Sequence, residues 1–182
     1  MSRLSKTLVL VPLLLTAVAA NAATLQQLSM DQMSQLATAI VRAKVTDISS
    51  GFVATAGAPT IYTHYKLSVS EVWKGTAPTE VMLPGGKVND QQQSFPGVPE
   101  LKAGGEYILF LWKSPATGIV HTIGLTQGIF DVTANPDGSI SASRKQIGEL
   151  MVDTSGHRVA DTAIRMKLAD MRSRVRQGGP VQ

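Results

Sequence analysis

Three histidines offer the side chains best suited to acid–base or metal chemistry in this chain, which has no cysteine. His64 sits between Tyr62 and Lys66, His121 lies between apolar neighbours, and His157 occupies a Ser-Gly-His-Arg stretch. None has a second histidine at metal-ligand spacing, and H-E-x-x-H is missing. Asp153 and His157 are four apart, but Ser155 and Gly156 between them read as a loop rather than a helix face. A serine hydrolase needs a nucleophile, a base and an orienting group, and no G-x-S-x-G elbow occurs. Gly85-Gly86-Lys87 lacks the first glycine and the following Ser/Thr of a phosphate-binding loop. Nothing in the spacing brings Glu71 and Glu80 together as a carboxylate pair. The chain therefore reads as non-enzymatic, with no catalytic residue, metal or cofactor expected.

The elements that would position any site are mostly strands. Thr60–Gly75 alternates Ile61, Thr63, Tyr65, Leu67, Val69 and Trp73 with Tyr62, His64, Lys66, Ser68 and Ser70. Such period-two patterning predicts a strand, and its length predicts a bend that serves two parts of a small barrel or sandwich. Thr38–Ser49 predicts a half-buried strand with Arg42, Lys44 and Thr46 outward, and Gly51–Pro59 the loop that follows it. Glu80–Leu83 is a short third strand. Glu106–Lys113 is apolar at both parities, which predicts a central strand covered on both sides. Ile119–Leu125 returns as another strand. Gly128–Thr133 and Ser139–Ser143 flank Asn135-Pro136-Asp137-Gly138, a hairpin signal.

The segment from Gly85 to Gly105 has few apolar anchors and is the longest irregular stretch, and 153–158 is a polar loop. Two helices complete the reading. Ala23–Ala37 predicts a short one with Thr24 as N-cap. Asp161–Gln177 predicts an amphipathic one carrying Ile164, Leu168, Met171 and Val175 on one side, started by Asp161 and stopped by Gly178-Gly179-Pro180.

Length and composition bound the rest. The chain has 182 residues and a formal net charge of +4. Arg3 and Lys6, the apolar run Leu8–Val18 and Ala20-Asn21-Ala22 read as a cleavable signal peptide over residues 1–22, too short for a stable membrane span. Its removal takes the charge to +2, and no basic stripe with interleaved aromatics suggests nucleic acid. A periplasmic or secreted protein is expected, held together by core packing rather than disulfides. The expected domains are a β unit with its N-terminal helix over 23–152 and a C-terminal helix and tail over 153–182.

Three segments, AIVRAKV at 39–45, YTHYKLSVSEVWKG at 62–75 and LKAGGEYILFLW at 101–112, with a short strand after the second, resemble the netrin-like module of tissue inhibitors of metalloproteinases. The chain also resembles exported bacterial proteins with a Pro-Gly-Gly segment, here Pro84–Gly86, and a Phe-Pro-Gly-Val-Pro-like segment, here Phe95–Pro99. The resemblance implies an OB-like five-stranded barrel with flanking helices, to which the residue patterns above add an extra β-hairpin and a C-terminal amphipathic helix. OB barrels bind on one face of their middle strands and through flanking loops. That selects Tyr62, His64 and Lys66, with Lys87, Gln92 and Phe95 from the Lys87–Pro99 loop. The implied function is a protein-binding module whose partner is an exported protease or envelope protein; the alternative is an inhibitor or regulator of an exported metalloprotease. The inhibitors chelate the enzyme's zinc through an N-terminal cysteine, where this chain has Ala23-Thr24, so no inhibitory residue carries over.

Overall fold

The computed structural model describes residues 24–54 and 57–177. The leader expected over 1–22 and the Gly178-Gly179-Pro180 stop lie outside the described residues. In chain order the strands are β1 (Thr24–Gln26), β2 (Ala39–Val53), β3 (Thr60–Lys74), β4 (Glu80–Pro84), β5 (Gly86–Val88), β6 (Gln91–Gln93), β7 (Glu106–Lys113), β8 (Val120–Thr122), β9 (Ile129–Ala134), β10 (Ile140–Arg144), β11 (Leu150–Val152), β12 (Arg158–Val159) and β13 (Ile164–Lys167). The helices are α1 (Met30–Leu36) and α2 (Leu168–Gln177), with a 3₁₀ turn at Leu125–Gly128. The protein is mainly β, with two helices, one of them C-terminal.

The main sheet runs β13-β10-β9-β7-β2-β3-β4, with β8 paired to the end of β7. Ladders do not close it into a barrel. β4 and β8 nevertheless lie side by side, and the His121 ring is 3.2 Å from the Met82 carbonyl across that seam.

Each face of the sheet has its own core. Tyr107, Leu109 and Leu111 of β7 pack inside the curl with Val41, Ala43, Val45, Tyr65, Val81 and Leu83. Ile108 and Phe110 face the other way, onto Met33, Phe130, Leu168, Met171 and Val175. This is why β7 is apolar at both parities, as its sequence led us to expect.

The long strand behaves differently from strict alternation. Its pairing with β2 skips Thr46, Ser70 and Trp73. A bulge adds one residue to one strand and reverses which face the following side chains take. Val69 therefore stays with the inner core, whereas Glu71 pairs with Arg42 and Trp73 joins the helix-covered core. Arg42 is thus not a free outer charge. Its Nε donates to Glu106 at 2.8 Å and its Nη1 to Glu71 at 3.0 Å. Glu71 also accepts the Trp73 indole N–H at 3.1 Å and meets Arg172 of α2 at 3.2 Å.

The indole first, then Arg42 and Arg172, hold the Glu71 carboxyl below its ordinary pKa. A carboxylate depressed in the folded state adds stability above its unfolded value of about 4.3 and loses it as pH falls through the lower folded one. Wild type should therefore lose more stability than Glu71→Gln between neutral pH and the acid limb, read from urea midpoints at stepped pH. Parallel curves for the two proteins would contradict the network.

Other expectations need correction. Thr24 caps no helix: residues 24–26 pair in parallel with β11, and α1 starts at Met30 with a Ser29–Gln32 capping box. Strand β2 runs on to Val53, through the start of the expected loop. The irregular Gly85–Gly105 stretch contains the β5–β6 hairpin. β8 stops at Thr122, and the 3₁₀ turn takes the rest of that expected strand. The polar 153–158 loop is the turn between β11 and β12. The C-terminal helix begins at Leu168, not Asp161, because residues 164–167 extend the sheet beside β10. Ile164 still packs on the same core as Leu168, Met171 and Val175, so a strand-to-helix junction mimics four-three-four spacing. The α2 helix docks on its own sheet.

Candidate functional site

Successive strand residues point to opposite faces, and β3 sorts the candidate residues accordingly. Ile61, Thr63 and Tyr65 face inward, toward the β5–β6 hairpin. The Ile61 N–H donates to Gln93 Oε1 at 2.7 Å, and Thr63 Oγ1 donates to the Gly85 carbonyl at 2.8 Å. A Cβ on Gly86 would fall 2.6 Å from both Ser50 Oγ and Thr63 Oγ1, so only glycine lets the hairpin lie this close. Gln92 and Phe95 line the resulting recess of about 340 Å³ with Ile48, Thr63 and Tyr65. Lys87, on β5, is exposed.

Tyr62, His64 and Lys66 project from the other face. The six residues selected from the sequence thus fall into two groups on opposite sides of β3, not one site. On the outward side His64 Nδ1 is 3.2 Å from Glu80 Oε2 of β4, and Lys66 Nζ is 3.1 Å from Asp47. The latter pair is exposed, and its lysine draws the Asp47 carboxyl below its ordinary pKa.

Two aromatic residues from elsewhere in the chain join this face. Trp112 and His121 are register partners between β7 and β8, and their rings stack with centroids 6.4 Å apart. His121 in turn lies 6.1 Å from the Tyr62 ring. Burial pushes the His121 imidazole below its usual pKa, with its bond to Met82 opposing the shift. A carbonyl only accepts, so that bond assigns the proton to Nδ1 and leaves Nε2 with its lone pair. Met82 is buried yet belongs to neither core, and it lines a second recess of about 370 Å³ with Glu80, Ile119 and Val120.

Each histidine has its own polar partner. His157 reaches Asp153 at 3.5 Å in an exposed turn, and His64 and His121 have the partners just given. Among the described residues no group of three or more His, Asp or Glu is placed to hold a metal ion. Glu71 and Glu80 are engaged by different partners, Arg42 and His64. The sequence does not place Trp112 and His121 beside Tyr62, because their proximity depends on the β7–β8 pairing and the β4–β8 seam. Trp112 and Lys113 are exposed at the end of β7 although the sequence reads as covered on both sides there. No helix among the described residues is long and apolar enough to cross a membrane. No protein-family model matches the chain, and no curated protein does either.

Proposed function

We propose that this chain is an exported, non-enzymatic module that binds a protein partner through the outward face of β3 and β4 and the adjoining wall of β8. The observation that carries the proposal is the row of rings formed by Tyr62, His121 and Trp112, which lies outside both cores, with Trp112 41% exposed. Tyrosine and tryptophan supply large contact areas with a polar tip and dominate binding hot spots. His64, Glu80 and Lys66 give the row a polar rim. The fold supports an OB-like reading: β7, β2, β3 and β4 are consecutive in the sheet, and β8 stands in the gap between β4 and β7. In that fold the middle strands and flanking loops form the usual contact surface. Export rests on the signal-peptide pattern of residues 1–22.

The test compares the mature chain from Ala23 with its Tyr62→Ala/Trp112→Ala variant in capture from periplasmic and culture-medium fractions at several salt concentrations. Both side chains lie outside the cores, so the variant should keep its fold. A partner held by wild type should bind the variant about 30-fold or more weakly, as loss of about 2 kcal/mol at a hot spot requires. Capture of the same proteins by both chains would count against the face, and capture of none by either would count against the binding role.

A further inference from the structure

The distal half of β2 is an open sheet edge. Strand β2 pairs with β7 only over Ala39–Lys44, and from Asp47 to Val53 it has β3 on one side alone. The backbone directions follow from β3. The Ile61 carbonyl accepts from the Gly85 N–H, and the Leu67 N–H donates to the Thr79 carbonyl. Ile61, Thr63, Tyr65 and Leu67 therefore bond toward β4, and Tyr62, His64 and Lys66 toward β2. Gly51, Ser49 and Asp47, their register partners, are engaged by them. The backbone groups of Ile48, Ser50 and Phe52 point the other way, away from β3. The Ile48 N–H reaches the exposed Asp47 carboxylate. The remaining outward groups have no partner among the described residues. The side chains beside them are apolar: Ile48 is 39% and Phe52 48% exposed. The other edges of the main sheet are guarded by charge or by a neighbour. β13 carries Arg165 and Lys167, and β8 lies beside β4.

We infer that this edge pairs antiparallel with the same edge of a second copy of the chain, about a two-fold axis at Ser50. Only residues whose backbone groups point outward can exchange hydrogen bonds across the new seam. A register centred on Ser50 engages all of them: Ile48 meets Phe52 of the second copy, Ser50 meets its counterpart, and Phe52 meets Ile48. Directly opposed side chains of a ladder touch, so the same register sets each exposed apolar side chain against the other kind. The two-fold repeats that contact, and both Ile–Phe pairs leave water together. Asp47, the one charged residue within 47–53, falls opposite Val53, so no like charges meet. The edge is thus complementary to itself, as a two-fold interface requires, and the pairing closes at a dimer because each copy spends this edge once. An axis perpendicular to the sheet also keeps the Tyr62, His64 and Lys66 faces of both copies on one side. The inference does not depend on what that face binds.

The test is sedimentation equilibrium of the mature chain from Ala23, from micromolar to millimolar concentration. Wild type should approach a dimer and no larger species. Phe52→Lys should stay monomeric while keeping the far-UV spectrum of wild type, since it puts a charge on the edge at an exposed position. Ile48→Lys gives the same test at the opposing position. The register is read with single cysteines, which the chain otherwise lacks. Ser49 and Gly51 of the second copy form a non-hydrogen-bonded pair with Cα atoms about 4.5 Å apart, within disulfide reach. A Cβ on Gly51 would meet only His64 Nε2, at 3.8 Å. Either variant paired with itself sets its thiols on a diagonal of about 7–8 Å. Under mild oxidation a mixture of Ser49→Cys and Gly51→Cys should therefore bridge about tenfold or more faster than either alone. A wild-type chain that stays monomeric throughout would overturn the inference. So would a dimer that both lysine variants leave intact, or cysteine variants that bridge equally well alone and mixed. A monomer that loses a captured protein on Phe52→Lys would assign the edge to that protein's strand instead.

Discussion

Replacing Asp161 with alanine is expected to cost about 3–5 kcal/mol, because it strands a buried cation. The Asp161 side chain is 2% exposed. Its Oδ1 accepts from Arg144 Nη2 at 2.7 Å and its Oδ2 from the Ile147 N–H at 2.6 Å. The substitution leaves a guanidinium and a backbone donor without their acceptor. Burial already drives the Arg144 pKa down, against the pull of Asp161. For a chain of this size the melting temperature should fall by roughly 2–4 °C per kcal/mol. An Arg144→Leu/Asp161→Leu double variant should lose less than Asp161→Ala alone, since it removes both charges together. Urea midpoints of the three proteins decide the matter. A loss below about 1 kcal/mol for Asp161→Ala would mean that the pair is as solvated as a surface ion pair.

Gly75→Ala should be of similar severity for a different reason. Gly75 has φ +68°, and a Cβ there would lie 2.0 Å from the Thr38 carbonyl oxygen. A non-glycine residue in this region costs about 1–3 kcal/mol, and forcing the backbone aside adds a further ~1–3 kcal/mol. Thr38 has little freedom to yield. Its N–H donates to the Leu111 carbonyl at 2.8 Å, and its Oγ1 accepts from the Lys113 N–H at 2.9 Å. Displacing it therefore loosens the pairing of β2 with β7 as well. Gly138 provides the comparison: its φ is +81°, but a Cβ would meet nothing within 4 Å. Thermal melts should show Gly75→Ala losing clearly more than Gly138→Ala. Equal losses would show that backbone strain alone acts at both positions.

Where one periodicity holds along an element, the sequence was readable. Strand β7 has apolar residues at both parities because both faces are covered, and the β9–β10 hairpin turns where Asn135-Pro136-Asp137-Gly138 dictate. The reading broke down where the period changes within an element. Bulges at Ser70 and Trp73 redirect Glu71 and Trp73 without any local marker such as glycine or proline. Residues 164–167 satisfy strand and helix spacing together, and only pairing with β10 decides between them. Asp161 looks like a helix-starting acid until the fold places Arg144 beside it. The candidate site was half legible for the same reason. Alternation put Tyr62, His64 and Lys66 on one face, but the rings that complete that face arrive through long-range pairing. Gln92 and Phe95 seemed their natural neighbours, yet the β5–β6 hairpin crosses the opposite side of β3.

Binding on the outward face of β3 and β4, as proposed, can be mapped residue by residue. Backbone amide shifts of the isotope-labelled mature chain should be recorded as its captured partner is added. Perturbations should concentrate at residues 62–66, 80–84, 112–113 and 120–122. Perturbations concentrated around Phe95 and Gln92, or along α2, with the Tyr62–His121–Trp112 row unmoved, would contradict binding on that face.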